Sequence, residues 1–465
     1  MSEAAEERFE AYVSGLAGVM GHAARVGALR DYCTGLMLPL ERKSVEPLAM
    51  TSPARVSAQH QSLMHFVSQS DWSDAALLAK VREMVLPRME GRGPIEVWVI
   101  DDTAFRKKGH HSVGVARQYC GEIGKQDNCQ VAVSLSVANA CASLPVAFRL
   151  YLPRSWAQDA KRRKKAKVPK AVRFATKPQM ALEQIRWAVE AGLPQGVLLM
   201  DAGYGVDARL RLGASALGLT YVAGVLPHTL VFAPGHQPRA GHTRPKSGRR
   251  QRHVVSVKEV ALGLPDDAWC QIEWREGSSE TLSGRFARVR VVSAHRHRTL
   301  PERAPEWLLI EWPQGEAEPT RYWLSTLPED MTFERMVELA KMRWRIERDY
   351  QDLKQEVGLD HFEGRSWRGF HHHASLCVAA YGFLICERET IPPSGLGSSR
   401  QSSQPGLPRS YRPRGAPNPA RTAHPQLDRH HAPTPHLGSR PHPLQMPMLC
   451  RTGPTTAPIT SLLTQ

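Results

Sequence analysis

The sequence predicts an α/β protein: an N-terminal helical region, a strand-rich core with a β-rich insertion, a late helix and an unpatterned tail. Three observations predict it. Apolar strand-like runs end in carboxylates at Asp101-Asp102 and Asp201. A long amphipathic helix follows far downstream, carrying Arg343, Glu347 and Lys354. After about residue 393 every apolar period stops. With 465 residues the chain is long enough for two or three structural units, and its formal charge of +16 favours a polyanionic partner.

Residues 1–90 read as helical. Phe9, Tyr12, Val13, Leu16 and Val19-Met20 recur at helical spacing, a second stretch covers 59–67, and Ser70-Asp71-Trp72-Ser73-Asp74 resembles a cap before a helix over 75–86. Two readings of this region stand side by side, a grip on DNA and a small domain packed on the core.

Residues 91–210 read as the first part of the core. The nearly all-apolar run 95–100 fits a buried strand, 129–137 alternates, and 146–152 is a further strand. The basic run 161–167 is either a solvated loop or a DNA contact. A helix over 179–191 ends at Gly192-Leu-Pro-Gln-Gly196, and 197–200 forms the next strand. Three strands, a helix and a strand ending in Asp201 is the order of a ribonuclease-H-like sheet.

The 145 residues between Asp201 and Glu347 exceed one connection. Strand-like runs at 254–260, 269–274, 286–292, 307–312 and 321–325 predict a β-rich insertion over 211–328, interrupted by a Gly/Pro/Arg-rich loop at 234–252. The end of the core occupies 329–392. Within it, Leu339, Met342, Ile346, Tyr350, Leu353 and Val357 predict one helix over 332–357 with a single buried stripe. At about 100° per residue, Arg343, Glu347 and Lys354 share one arc of about 40° beside that stripe.

The final segment, 393–465, is predicted to be disordered and basic. From residue 391 onward there are eight arginines, fifteen prolines, no lysine or glutamate, and one aspartate, Asp428. The abrupt change suits either a natural basic tail or translation in a shifted frame. The cysteines contain no Cys-x-x-Cys pair and read as thiols of a reducing compartment. The acidic start lacks a signal-peptide core, and no apolar run reaches bilayer length, so a cytoplasmic, nucleoid-associated protein with no membrane partner is expected.

Arg343, three residues, Glu347, six residues and Lys354 resemble the Tyr-Arg-Glu-Lys signature of DDE transposases of bacterial insertion sequences. The run from Asp101 to Tyr119 and Asp201-Ala-Gly-Tyr-Gly205 are similar to the first and second acidic motifs of one subgroup. The similarity covers roughly residues 5–390. It implies a ribonuclease-H-like catalytic core, metal-dependent DNA cleavage and strand transfer. Asp102, Asp201 and Glu347 are implied as ligands for two Mg²⁺ ions, with Mn²⁺ as a substitute. Asp101 competes with Asp102: neighbours on a strand point to opposite faces, and the Asp-Thr pair matches the motif better. Arg343 and Lys354 are implied phosphate clamps. Lys107, Lys108 and Arg117 read either as backbone contacts or as solvated loop residues. The implied partners are double-stranded DNA, as terminal inverted repeats and target, and a second copy of the chain in the synaptic complex. The signature's Tyr falls at Ala340, and the tail departs from the family. A disabled, transposase-derived DNA-binding protein and a nuclease of the same fold are the alternatives. His371-His372-His373 are expected to pack, because consecutive helical side chains diverge by about 100° and cannot share one ion.

Overall fold

The computed structural model describes residues 3–51, 56–236, 253–275, 281–294 and 304–390. The expected disorder of 393–465 lies outside the described residues, as does most of the predicted 234–252 loop.

Five helices open the chain: α1 (Glu3–Ala17), α2 (Ala24–Met37), α3 (Val45–Met50), α4 (Val56–Ser68) and α5 (Asp74–Glu90). The expected cap at Ser73 is present, its side chain accepting from the amide of Ala76. These helices bury the predicted stripe of Phe9, Tyr12, Val13 and Leu16. They pack on the last described helix, α14 (Trp367–Thr390): Phe9 and Tyr12 meet Phe383, and Trp72 stacks on His372 with ring centroids 3.6 Å apart.

The sheet begins with β1 (Val97–Arg106), β2 (Ala116–Cys120), β3 (Lys125–Ala138) and β4 (Ser143–Leu150). β1 lies antiparallel to β3, which carries β2 and β4 along its other edge. Two short helices follow, α6 (Arg154–Ala157) and α7 (Ala160–Lys165). The basic run is therefore part helix: Asp159 caps it by accepting from the amide of Arg162. Helix α8 (Lys177–Glu190) starts at a capping box of Thr176 and Gln179 and leads into β5 (Val197–Met200). α9 (Ala202–Gly205), α10 (Ala208–Ala216) and β6 (Tyr221–Val225) complete this half. β5 runs parallel to β1, and β6 parallel to β5. The order β4-β3-β1-β5-β6 is the ribonuclease-H-like sheet expected from the sequence.

The insertion supplies β7 (Leu230–Phe232), β8 (Val254–Ser256), α11 (Val257–Leu262), β9 (Trp269–Arg275), β10 (Thr281–Ser293), β11 (Glu306–Trp312) and β12 (Arg321–Ser325). The predicted strand 254–260 is corrected to three strand residues and a helix. Ser256 and Glu259 form a reciprocal capping box, which turns the backbone out of the sheet. These strands also build no separate sheet. β12 pairs antiparallel with β6, so one sheet of twelve strands runs through core and insertion.

The helix predicted over 332–357 is two, α12 (Phe333–Lys341) and α13 (Trp344–Gln355). Between them the amides of Arg345 and Ile346 donate to the carbonyls of Met342 and Arg343, three residues back. This tighter hydrogen bonding interrupts the α-helix at Arg343, while Leu339, Met342, Ile346, Tyr350 and Leu353 stay buried. Among the described residues, no helix is long and apolar enough to cross a membrane.

Candidate active site

Strand alternation sorts the two neighbouring aspartates. Asp101 lies opposite Ser134 of β3, whose hydroxyl shares a 2.7 Å hydrogen bond with the Tyr350 hydroxyl of α13. Asp101 thus faces α13, and Arg343 donates to its Oδ2 at 2.6 Å. The same guanidinium donates through its other terminal nitrogen to Glu347 Oε1 at 2.5 Å. Asp102 turns to the α8 face, where its Oδ2 accepts from Lys177 Nζ at 3.0 Å and from the Tyr204 hydroxyl at 2.9 Å. The carboxylate on the face of the late helix is Asp101, while Asp102, the first choice from the sequence, lies on the α8 face.

Asp201 reaches the site through the parallel pairing of β1 and β5. Ile100 lies beside Met200, so the next step sets Asp101 beside Asp201 on strands about 5 Å apart. Asp201 then caps α9, its Oδ1 accepting from the amide of Tyr204 at 3.1 Å. The glycines of this motif allow the close fit. A Cβ on Gly205 would collide with the carbonyl of Gly224 on β6, and one on Gly224 would lie 2.9 Å from the amide nitrogen of Ala202.

Burial sets the electrostatics. Loss of hydration, aided by the nearby Asp201 and Asp102 and opposed by Arg343, pushes the Asp101 carboxyl up to about 7. Burial also raises that of Asp201. Burial works against the charge of Arg343, yet Asp101, Glu347 and Asp201 outweigh it and hold its pKa above the usual value. Glu347 is the outer member, with its side chain 61% exposed.

The remaining expected residues divide by surroundings. Lys354 is largely buried, donates to the carbonyl of Ala104 at 2.8 Å and lies 3.4 Å from Glu122. Lys107 donates inward to the carbonyl of Phe362 at 2.7 Å, and burial lowers its pKa. Lys107 and Lys354 are thus drawn inward, whereas Lys108 and Arg117 are exposed. The three histidines at 371–373 are buried and each hydrogen-bonded to the backbone, the packing role expected for them. Trp367 rests against the ring of His371. Sequence reasoning missed Lys177 and Tyr204. The sign of Tyr204 was the Asp-Ala-Gly-Tyr run, since an aspartate before small residues starts a helix and fixes where the third side chain points.

Among the described residues, no group of three or more His, Cys, Asp and Glu stands ready to hold a metal ion. Arg343 bridges Asp101 and Glu347 instead. The donor set nevertheless fits a hard divalent cation. It offers carboxylate oxygens on rigid elements, with two of the carboxyls short of hydration and a cation already drawn between two of them.

The family model described as DDE superfamily endonuclease matches residues 15–281, more than half of the chain and including both aspartate motifs. A protein of Microchaete diplosiphon, described as a probable transposase for insertion sequence element IS701, is 29% identical over 192 residues. That alignment covers 41% of this chain and 46% of the relative, so the chain spans about half the length of the protein it matches. A ribonuclease-H-like sheet, two part-buried aspartates, one within β1 and one just after the neighbouring β5, and the match over 15–281 lead to one assignment: the chain belongs to the DDE superfamily endonucleases.

Proposed function

We propose that this protein is an insertion-sequence transposase. It binds the ends of its element, cuts phosphodiester bonds there and transfers the freed 3′-OH ends to target DNA. The observation that carries the site assignment is one guanidinium, Arg343, gripping Asp101 and Glu347 beside Asp201. Residues from β1, the end of β5 and α13 meet there, far apart in sequence and rigidly held.

Asp101, Asp201 and Glu347 are the residues that would hold divalent metal, Mg²⁺ or Mn²⁺, in one or two ions. Bound there, the metal supplies Lewis-acid activation of the attacking oxygen and stabilisation of the leaving one. Arg343 neutralises the carboxylates before metal and DNA arrive and then offers its fork to a phosphate. Asp102, clamped by Lys177 and Tyr204, is a positioning residue that fixes the middle of β1 against α8 and α9. The active complex holds at least two copies, because two DNA ends must be paired, and it works on chromosomal DNA in the cytoplasm.

The test is cleavage of a supercoiled plasmid carrying the element ends, with Mg²⁺ or Mn²⁺ and a target plasmid present. Asp101→Asn, Asp201→Asn and Glu347→Gln should each lower cutting by orders of magnitude while DNA binding persists. Asp102→Asn should retain much of the activity. Normal cutting by Asp101→Asn together with a dead Asp102→Asn would return the first ligand to Asp102. Cutting without joining to the target would leave a nuclease in place of a transposase.

A further inference from the structure

A cavity of about 790 Å³ lies outside the carboxylate cluster. Its walls are the segment after β1, the start of β2, the facing residues of β3, and helices α6 and α7. They are held by hydrogen bonds. Asn128 donates to the carbonyls of Lys107 and Gly109 at 2.5 and 2.9 Å, and Trp156 donates to that of Val115 at 2.7 Å.

The basic run of α7 divides its labour across this cavity. Arg162 lies over the Trp156 ring, 3.7 Å from its centroid, and donates to the carbonyl of His110. Arg163 turns away and donates to the carbonyls of Pro169 and Val172. Lys161 and Lys165, four residues apart and so on one side of the helix, line the cavity and are exposed. Arg117, also exposed, enters from β2. The carboxylate in the lining, Asp127, already pairs with Arg106 at 3.1 Å. Positive charge therefore dominates the opening.

Register ties this opening to the candidate active site. Arg117 pairs with Asn128, and Asp101 pairs with Ser134, on the same strand β3. Alternation puts Asn128 and Ser134, and hence Arg117 and Asp101, on one face of the sheet. Six residues along a strand span about 20 Å, which is about six base steps of a DNA strand. Tyr119, two residues beyond Arg117, shares that face and is 60% exposed. A flat ring beside cations suits a nucleic acid better than a small anion.

We propose that this cavity is a second DNA-docking site, in which Arg117, Lys161 and Lys165 hold backbone phosphates of the duplex flanking the cut. The proposal rests on the DNA-cutting function put forward above. The full chain is titrated, in EDTA, against a fluorescent 30-base-pair duplex at several salt concentrations. The Arg117→Ala/Lys161→Ala/Lys165→Ala protein should bind at least about ten-fold more weakly, and its salt slope should be shallower by about 2 to 3. Lys161→Gln/Lys165→Gln should lower the slope by about 2 and serves if the triple variant folds poorly, as judged by its melting temperature. Unchanged affinity and slope in a folded variant overturn the proposal. The two readings fail separately. A wild-type protein that cuts nothing with Mg²⁺ or Mn²⁺, while the variants still lose binding, defeats the enzyme and leaves the docking site. Intact cutting with no loss of binding in the variants does the reverse.

Discussion

His373 shows how a single side chain can be held to one protonation state. Its Nδ1 meets the Tyr32 hydroxyl at 2.9 Å, and its Nε2 meets the carbonyl of Gly358 at 3.0 Å. A neutral ring satisfies both, accepting from Tyr32 and donating to Gly358. Burial, with help from Lys107 and His361 and against the Gly358 bond, lowers its pKa to about 4. The unfolded chain then binds a proton that the folded one refuses between about pH 6.5 and 4. Stability is therefore lost as pH falls through that window, by up to about 1.4 kcal/mol per pH unit for this residue. His373→Asn should be less stable at pH 7 but show a flatter decline in urea unfolding between pH 6.5 and 4. An unaltered decline would show that His373 is already charged in the fold. Asp101 marks the limit of sequence reading at this scale. The pattern of 95–102 located a buried strand, although β1 runs on past both aspartates to Arg106, and the spacing from Arg343 to Lys354 singled out Glu347. Which of two adjacent carboxylates faces the helix depends on the β1–β3 register, and that register is written in no local pattern.

Among elements, the turn after β5 is the tightest fit. Gly205 packs against the backbone of Gly224, and this contact seats α9 on β6. Gly205→Ala should cost roughly 1–3 kcal/mol of stability, because backbone rather than a flexible side chain must give way. Cleavage should fall with it, since the same turn holds Asp201; a melting curve and a plasmid-nicking assay on one preparation check both. Full stability in the variant would mean that α9 can lift off β6 freely. The helices were the most legible elements, because their apolar stripes are long. The late helix was read correctly in its buried side and wrongly in its continuity. Nothing in the stripe through Met342 and Ile346 signals the tightened turn at Arg343. In the insertion, Ser256 and Glu259 carried a helix-start signal that the β-branched run around them masked.

Across the whole molecule, insertion and core are joined by a buried ion pair. Lys341 at the end of α12 reaches Glu311 of β11 at 2.6 Å, with both side chains under a tenth exposed, and its ammonium lies over the Trp274 ring of β9. Lys341→Met leaves a buried carboxylate without its main partner and should cost about 3–5 kcal/mol. Adding Glu311→Leu should recover much of that loss in urea unfolding, as removing both charges also removes their desolvation. A single variant as stable as wild type would show that water reaches the pair. The sequence revealed the insertion's strands but not their destination, because the pairing of Tyr322 with Val225 spans the entire insertion. That pairing bears on how the protein is made. As the ribosome delivers the chain, β6 emerges with one edge open and waits for β12, so the growing polypeptide carries an exposed strand edge in need of chaperoning. Asp101 and Asp201 are synthesised well before Glu347, and α12 and α13 follow directly on β12. A chain abandoned halfway through translation therefore holds Asp101 and Asp201 without the guanidinium of Arg343 that stands against them in the finished fold.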